Sequence, residues 1–282
     1  MNIQSAIVHG TRILKNKFIA NANLDSEILM AEAIKKNREY VVLNSNFIID
    51  KEELNNFYKL IKKRSFREPI AYITNKKSFW SSEFYVTKDT LIPRPETELI
   101  IENVLKLTKN RNSLRILDIG IGSGCILLSI LKEKKSFYGT GIDISKKCIK
   151  ISKINAINLK VHQRLKLLKT DVDKYKSSKY DLIVSNPPYI INKKLKYLDI
   201  DVAKFEPKLA LDGGLDGLSE IRKVIKKSSE LIKNGGKLIL EIAYTQKKEV
   251  KQLLRKNGFY INFIIKDLAK NDRCIISTKI HN

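Results

Sequence analysis

Apolar side chains in the first 67 residues recur three and four positions apart, which is the spacing of amphipathic helices. In residues 26–36 this spacing predicts a helix with Asp25 or Ser26 as its N-cap. Residues 50–65 place Glu53 three positions after Asp50, the arrangement of a capping box. That second helix has four apolar residues on one face: Leu54, Phe57, Leu60 and Ile61. The pattern predicts a small helical bundle, residues 1–68, with no catalytic constellation of its own.

The pattern changes in residues 69–93, where aromatic and β-branched residues alternate with short polar stretches. Such alternation is typical of strands, so we expect a strand and hairpin connector here. A helix should follow at once. Pro95 suits a first helical turn, and Glu96 and Glu98 suit the positive end of a helix.

After Ser113, short apolar runs alternate with amphipathic stretches up to the C-terminus. The runs typical of strands are LRILDIG, FYGTGIDI, LKLLKTD, YDLIVSN, KLILEIA, INFIIKDL and RCIISTKI. The stretch LSEIRKVIKKSSELIKNGG between them is helical in pattern, and we expect its glycines to end the helix. Strands alternating with helices predict a doubly wound, mostly parallel α/β sheet over residues 94–282.

Composition narrows the class of protein. Of the 282 residues, 43% are hydrophobic and 30% are charged, as in soluble globular proteins. No apolar run approaches the roughly 18 residues of a membrane span, and we expect no secretory signal. The cysteines and histidines are scattered, which argues against a disulfide framework or a metal site and fits the cytoplasm. These residues are Cys125, Cys148, Cys274, His9, His162 and His281.

The net charge of +24, from 54 Lys and Arg against 30 Asp and Glu, favours a nucleic acid or an acidic protein as partner. Lysine, asparagine and isoleucine, however, abound along the whole chain, as an A/T-biased genome would produce. The lysines form no single cluster with interleaved aromatic residues. Both interpretations of the charge therefore stay open.

The stretch LDIGIGSGCILL, residues 117–128, places Gly120, Gly122 and Gly124 between a strand and a helix. Glycine there permits a tight turn and close approach of a ligand to the backbone. The spacing lacks the last glycine of GxGxxG, and no GK[ST] follows, which excludes a phosphate-binding P-loop. Asp143 ends the next strand, where an acidic residue can accept hydrogen bonds from ribose hydroxyls. Together these residues predict a nucleoside-type cofactor.

The third strand ends in KTDVDKY, residues 169–175. Asp171 at this end could meet the amino group of an adenine, and Val172 could pack on its ring. Capping of a following helix explains Asp171 equally well.

The stretch YDLIVSNPPYI, residues 180–190, follows a strand with an asparagine and two prolines, which cannot continue a sheet. The Asn186 side-chain oxygen and a carbonyl of the proline pair can both accept hydrogen bonds from one planar NH₂ group. Tyr189 can flank that group and stabilise positive charge developing on it. The sequence therefore predicts a clamp for a side-chain amide or a nucleobase amine.

DIGIGSG, GIDIS and SNPPYI, in this order and spacing, resemble class I S-adenosylmethionine-dependent methyltransferases with a Rossmann-like fold. Enzymes acting on nucleic-acid amines and on glutamine share the [DNS]PP[YFW] signature, so it indicates the chemistry and not the substrate. Residues 67–98 and 205–225 are similar to the release factor glutamine methyltransferases, the HemK/PrmC family. The helical N-terminal region, residues 1–68, fits the domain with which this family recognises its protein substrate, and the resemblance covers almost the whole chain.

The resemblance implies roles for individual residues. S-adenosylmethionine would be held by Asp118, Gly120, Ile121, Gly122, Ser123, Gly124, Asp143, Asp171, Val172 and Asn186. The substrate glutamine, from the GGQ loop of a peptide chain release factor, would be held by Asn186, Pro187, Pro188 and Tyr189. Asn186, Pro187 and Tyr189 would be the catalytic residues. The chain departs from the family at Val172, often aromatic, and at Ile121, where threonine is common.

The resemblance further implies a release factor as partner, allows proximity to the ribosome, and leads us to expect a monomer with no stable nucleic-acid or membrane partner. Two alternatives stay open. A methyltransferase acting on an adenine or guanine amine of a nucleic acid is favoured by the positive charge. A catalytically silent member could instead bind the cofactor or the ribosome as a scaffold.

Overall fold

A computed structural model describes residues 1–177 and 179–280, so His281 lies outside the described residues. The chain forms two compact units. The helical unit consists of Met1–Lys76 and of a separate segment, Asp199–Phe205. The sheet unit consists of Lys77–Leu198 and of the residues from Glu206 onward. Within the described ranges, no helix is long and apolar enough to cross a membrane.

The helical unit is built from short helices, as the sequence predicted. They are α1 (Ile3–Lys15), α2 (Ala22–Ala33), α3 (Arg38–Leu43), α4 (Lys51–Ser65), α5 (Ile70–Thr74) and, from the separate segment, α9 (Ile200–Phe205). The capping box of α4 is confirmed: the Asp50 carboxylate accepts from Glu53 N at 2.8 Å, and Glu53 accepts from Asp50 N. Gly10 allows α1 to pack closely, because a Cβ there would lie 2.7 Å from Phe57 Cζ.

The predicted start of α2 is wrong. The helix begins at Ala22 after Asn21, and both expected caps lie inside it. Both side chains instead have buried partners. Ser26 donates to the Ile7 carbonyl at 3.1 Å, and the Asp25 carboxylate accepts from Arg64 at 2.7 Å. Tertiary contacts therefore decide their positions more strongly than capping does.

The connector contains the predicted hairpin, formed by β1 (Lys76–Phe79) and β2 (Ser82–Tyr85). Trp80 and Ser81 turn the chain with φ of 44° and 52°, as a two-residue hairpin loop requires. The strand expected before the hairpin is instead the helix α5. Ile73 of this helix is buried in the core of the helical unit, and Ile70 packs against the same core.

The sheet unit has a seven-stranded sheet with the order β5-β4-β3-β6-β7-β9-β8, in which β9 runs antiparallel to both of its neighbours. This confirms the predicted doubly wound, mostly parallel sheet. The strands are β3 (Arg115–Ile119), β4 (Tyr138–Asp143), β5 (Leu165–Lys169), β6 (Tyr180–Ser185), β7 (Ile232–Glu241), β8 (Phe259–Lys266) and β9 (Asp272–Lys279). The helices between them are α6 (Glu98–Leu107), α7 (Cys125–Glu133), α8 (Lys146–Asn158), α10 (Ser219–Leu231) and α11 (Lys247–Lys256).

One helix boundary in the sheet unit differs from the prediction. We expected the glycines at 235 and 236 to end α10, but the helix stops at Leu231. Ile232 already pairs with Tyr180 of β6, so residues 232–236 begin strand β7. The strand order reverses between β3 and β6, and such a switch point opens a crevice at the carboxyl ends of the strands.

Candidate active site

A cavity of about 420 Å³ lies at the carboxyl ends of β3, β4 and β6. Most of the predicted site residues line it: Gly120, Ile121, Gly122, Ser123, Asp143, Asp171, Val172, Asn186, Pro187 and Pro188. Asp118, Gly124 and Tyr189 do not line this cavity. The glycine turn, the strand-end carboxylates and the Asn-Pro-Pro stretch thus lie together on one cavity.

The glycine turn between β3 and α7 has left-handed backbone at Gly120 and Gly124, with φ of 78° and 86°. A Cβ at Gly120 would meet no atom within 4 Å, so the backbone there is open to a ligand. A Cβ at Gly124 would lie 2.6 Å from Leu128 Cδ1. Gly124 therefore serves the packing of α7, whereas Gly120 leaves space in front of the turn.

Helix α8 anchors the glycine turn from behind. Ser152 Oγ donates to the Gly122 carbonyl at 2.7 Å, and Asn155 Nδ2 donates to the Ser123 carbonyl at 2.8 Å. Both side chains are fully buried. Asn155 also bonds both backbone groups of Tyr85 in β2, at 2.8 and 3.0 Å. Neither residue is among the predicted site residues, although polar side chains three apart on an otherwise apolar helix face were a signal.

The Asp143 carboxylate stands at the end of β4 and faces the cavity. Its Oδ2 accepts from Gly122 N at 3.0 Å and its Oδ1 from Ser145 N at 2.8 Å. Burial raises the pKa of this carboxyl, and the backbone hydrogen bonds counteract the rise. Because each carboxylate oxygen can accept more than one hydrogen bond, Asp143 can still bind the hydroxyls of a ribose.

Asp118 lies behind the glycine turn with 1% of its surface exposed. Among the described residues, neither of its carboxylate oxygens has a hydrogen-bond partner. Burial, with a smaller contribution from the negative charge of Asp143, raises the pKa of Asp118 to about 8. A buried carboxyl without partners is costly, which is typical of a group whose partner comes with a ligand.

The position of Asp171 is compatible with both predicted roles, capping of the following turn and contact with an adenine. Its carboxylate caps a short 3-10 turn by accepting from Asp173 N at 2.9 Å, and the residue also lines the cavity. Val172 lines the cavity beside it and packs against the core of the sheet unit. This pair offers an acceptor and an apolar surface next to each other.

The Asn-Pro-Pro-Tyr stretch after β6 is tied to two residues that our sequence analysis did not assign. Asn186 Nδ2 donates to Thr97 Oγ1 at 3.2 Å, and Thr97 Oγ1 donates to Glu241 Oε2 at 2.7 Å. The Tyr189 hydroxyl donates to Glu241 Oε1 at 3.3 Å. Glu241 ends the apolar run of β7, and a charge at a strand end was a signal that could have found it.

The acceptors of the Asn-Pro-Pro stretch remain available. In the described parts of the chain, neither Asn186 Oδ1 nor the Pro187 carbonyl oxygen accepts a hydrogen bond. Both residues line the cavity that the glycine turn also lines. Arg94 and Thr97 line it too, and the Arg94 guanidinium forms an ion pair with the buried Glu206 carboxylate.

The residues of this cavity fit S-adenosylmethionine. The open backbone at Gly120 and the Asp143 carboxylate suit its amino-acid and ribose parts. Asp118, which lies behind the glycine turn and does not line the cavity, adds a carboxyl without a partner among the described residues. Asp171 and Val172 suit an adenine, with one acceptor and one apolar surface.

Comparison with known proteins gives the family. Residues 5–74 match the family model described as PrmC N-terminal domain, and residues 95–203 match the one described as Methyltransferase small domain. The release factor glutamine methyltransferase of Clostridium botulinum is 36% identical over 282 residues, covering 99% of this chain and 100% of that protein. The release factor glutamine methyltransferase of Caulobacter vibrioides is 35% identical over 267 residues, covering 94% of this chain and 92% of that protein. The chain belongs to the release factor glutamine methyltransferase family.

Membership of the release factor glutamine methyltransferase family confirms the predicted enzyme class, an S-adenosylmethionine-dependent methyltransferase. Two solved structures are similar in fold. A methyltransferase from Pyrococcus furiosus matches with a TM-score of 0.53 at 18% identity, covering 70% of this chain and 89% of that one. The ribosomal protein L11 methylase of Lactobacillus delbrueckii matches with a TM-score of 0.50 at 19% identity, covering 67% of this chain and 81% of that one. At these identities they confirm the class I methyltransferase fold alone.

Proposed function

We propose that this enzyme transfers a methyl group from S-adenosylmethionine to the side-chain amide nitrogen of the glutamine in the GGQ motif of peptide chain release factors. One observation carries the proposal most directly. Two unused acceptors, Asn186 Oδ1 and the Pro187 carbonyl, stand on the same cavity as the glycine turn. The names of the relatives point to the same substrate.

The cofactor would occupy the part of the cavity formed by the ends of β3, β4 and β5. Residues 120–123, with Asp118 behind them, would hold its methionine part, Asp143 its ribose, and Asp171 with Val172 its adenine. When bound, S-adenosylmethionine supplies a methyl group on a positively charged sulfur, which makes that methyl electrophilic. Asn186 borders both this region and the substrate region.

The chain's own contribution is to position a poor nucleophile. An amide nitrogen reacts slowly because its lone pair is delocalised. Asn186 Oδ1 and the Pro187 carbonyl would each accept one of its hydrogens and stabilise the positive charge that grows on it. Such preorganised acceptors contribute on the order of 3 to 5 kcal/mol, and holding the nitrogen in place contributes further.

Tyr189 would border the planar amide, with Pro188 completing the substrate pocket. Burial raises the pKa of Tyr189, with the charge of Glu241 adding to the rise, so its hydroxyl stays protonated. Glu241 is bound to Thr97 and Tyr189 and so is not a free base. We expect the methylated amide to lose its proton to solvent, because it is a strong acid.

Methylation of a nucleic-acid amine is the weaker alternative, since the curated relatives are named for a protein substrate. We assign the charge of +24 a role in docking, because a positive field would attract an acidic release factor at low salt. We further propose that the enzyme acts as a monomer in the cytoplasm, on factors that are free or near the ribosome. Its cysteines are free, as a reducing compartment requires.

The test is transfer of labelled methyl from S-adenosylmethionine to a purified release factor. The same factor with GGQ changed to GGA, together with bulk tRNA, rRNA and DNA, completes the panel. Label on the unmodified factor alone supports the proposal. Label on a nucleic acid would mean that the Asn-Pro-Pro-Tyr stretch binds the amine of a base and not a glutamine amide. No label on any substrate would favour the scaffold alternative.

A further inference from the structure

The function of Asn186 depends on which way its side-chain amide is turned. The oxygen and the nitrogen of an asparagine amide have nearly the same shape but opposite hydrogen-bonding roles. A substrate NH₂ group needs the oxygen, because the Asn186 nitrogen would only present donors to donors. Something in the fold must therefore select one of the two orientations.

The contacts of Thr97 make this selection. Thr97 has a single hydroxyl hydrogen, and that hydrogen is donated to Glu241 Oε2 at 2.7 Å. An ionised carboxylate can only accept, so the direction of this bond is fixed. Thr97 Oγ1 then has only lone pairs left for Asn186, 3.2 Å away, and these bind Nδ2. Asn186 Oδ1 consequently points away from Thr97 and stays available.

The other oxygen of Glu241 holds the last residue of the same stretch, since Tyr189 donates its hydroxyl to Oε1 at 3.3 Å. Glu241 and Thr97 are 1% and 2% exposed, so water does not compete for these bonds. One buried carboxylate thus fixes both ends of residues 186–189. From these contacts we propose that Glu241 is a positioning residue that sets the acceptor orientation of the Asn186 amide through Thr97.

The surroundings of Glu241 are compatible with this role. The charged and titratable groups that act on it or feel its charge are Arg273 and Cys274 of β9, Cys125 of α7, Glu96, and Tyr189. Burial raises the pKa of Glu241 to about 7, with the Thr97 hydrogen bond and Arg273 opposing the rise. A protonated Glu241 donates from one oxygen, so the hydrogen bond to either the Thr97 or the Tyr189 hydroxyl must reverse its direction. The orientation of Asn186 is therefore fully specified only above that pKa.

The catalytic consequence of this inference rests on the proposed function, but the orientation itself can be observed without any substrate. We would label asparagine with ¹⁵N and follow the Asn186 side-chain NH₂ by NMR, assigning it by its absence in Asn186→Asp. In the wild type we expect one of its protons to exchange slowly with solvent. In Thr97→Val that protection should be lost, and Thr97→Ser should restore it. In Glu241→Gln the protection should weaken, because a glutamine amide can accept from only one of the Thr97 and Tyr189 hydroxyls. The control is Glu249→Gln, the same change at an exposed position of α11.

Kinetics provide the second readout. With a release factor as substrate, Thr97→Val should lower kcat about tenfold, the effect of one lost hydrogen bond, and Glu241→Gln should lower it by less. The Kd for S-adenosylmethionine should stay within about twofold, because neither residue belongs to the proposed cofactor region. The double variant should be no slower than the slower single variant, since both changes break the same chain of bonds. In the wild type kcat should rise through about pH 7, and in Glu241→Gln this rise should be absent.

Unchanged Asn186 resonances in both variants, or an additive loss in the double variant, would overturn the inference. Circular dichroism would reveal whether Glu241→Gln folds. If it does not, the comparison of Thr97→Val with Thr97→Ser decides whether the inference holds. If the wild type fails to methylate a release factor, the proposed function fails. The NMR result then still decides whether Glu241 orients Asn186.

Discussion

Glu206 accepts a hydrogen bond of 3.2 Å from the backbone N–H of Ile92, which lies 114 residues earlier in the chain. The other oxygen of the same carboxylate binds the Arg94 guanidinium. Two stretches that resembled the family independently in sequence, residues 67–98 and 205–225, are thus joined by one buried side chain. This contact fixes the segment that carries Arg94 and Thr97 to the cavity.

Glu206→Ala should therefore destabilise the sheet unit. The change leaves the Arg94 charge without its partner and the Ile92 N–H without an acceptor. Arg94 is one-third exposed, so solvent screens part of the loss, and we expect about 2 kcal/mol in urea denaturation. Glu102→Ala, which breaks an exposed pair with Lys106, should cost no more than about 0.5 kcal/mol. Equal losses in the two variants would contradict the assigned role.

Asn155→Ala should weaken cofactor binding, although Asn155 itself does not line the cavity. The variant frees the Ser123 carbonyl and both backbone groups of Tyr85, so the glycine turn loses its support. We expect the Kd for S-adenosylmethionine, measured by calorimetry, to rise about tenfold, as one lost hydrogen bond would cause. Asn158→Ala, at the exposed end of the same helix, should leave the Kd unchanged. An unchanged Kd in Asn155→Ala would show that the turn holds its shape alone.

Arg64→Leu should destabilise the helical unit strongly. Arg64 pairs with Asp25 at 2.7 Å and with Asp201 of α9 at 2.6 Å, and its side chain is almost wholly buried. Its removal leaves a buried carboxylate uncompensated, which costs about 3 kcal/mol in urea denaturation. The matched control is Arg38→Leu, which breaks an exposed pair with Glu27 and should cost less than about 1 kcal/mol. A similar effect of both changes would argue that the buried pair adds little.

The free protein should lose stability as the pH rises from about 4 to about 8. Asp118 has a pKa of about 8 in the folded protein and an ordinary value of 3.8, so the unfolded chain ionises first and unfolding becomes easier. Asp118→Asn removes this contribution. Its melting temperature should exceed that of the wild type by roughly 3 to 6 °C at pH 8 and match it at pH 4. Asp216→Asn, an exposed control paired with Arg222, should show no such gain.

The parts of the site that sequence could predict are those that a single strand end specifies. Gly120, Asp143 and Asn186 each follow an apolar run, and the parallel sheet brings those ends together. Glu241 at a strand end and Asn155 on an apolar helix face carried a signal in the sequence, but neither they nor Thr97 could be given a role, because their partners lie 144 and 70 residues away. The wrong start of α2 has the same origin, since Asp25 binds Arg64 instead of capping. Local patterns placed the elements, and long-range hydrogen bonds fixed the side chains between them.

The most direct test of the central claim is tandem mass spectrometry of a release factor after incubation with the enzyme and S-adenosylmethionine. We predict one added methyl group on the side-chain nitrogen of the GGQ glutamine, and none with Asn186→Ala. A methyl group on any other residue, or full methylation by Asn186→Ala, would contradict the account.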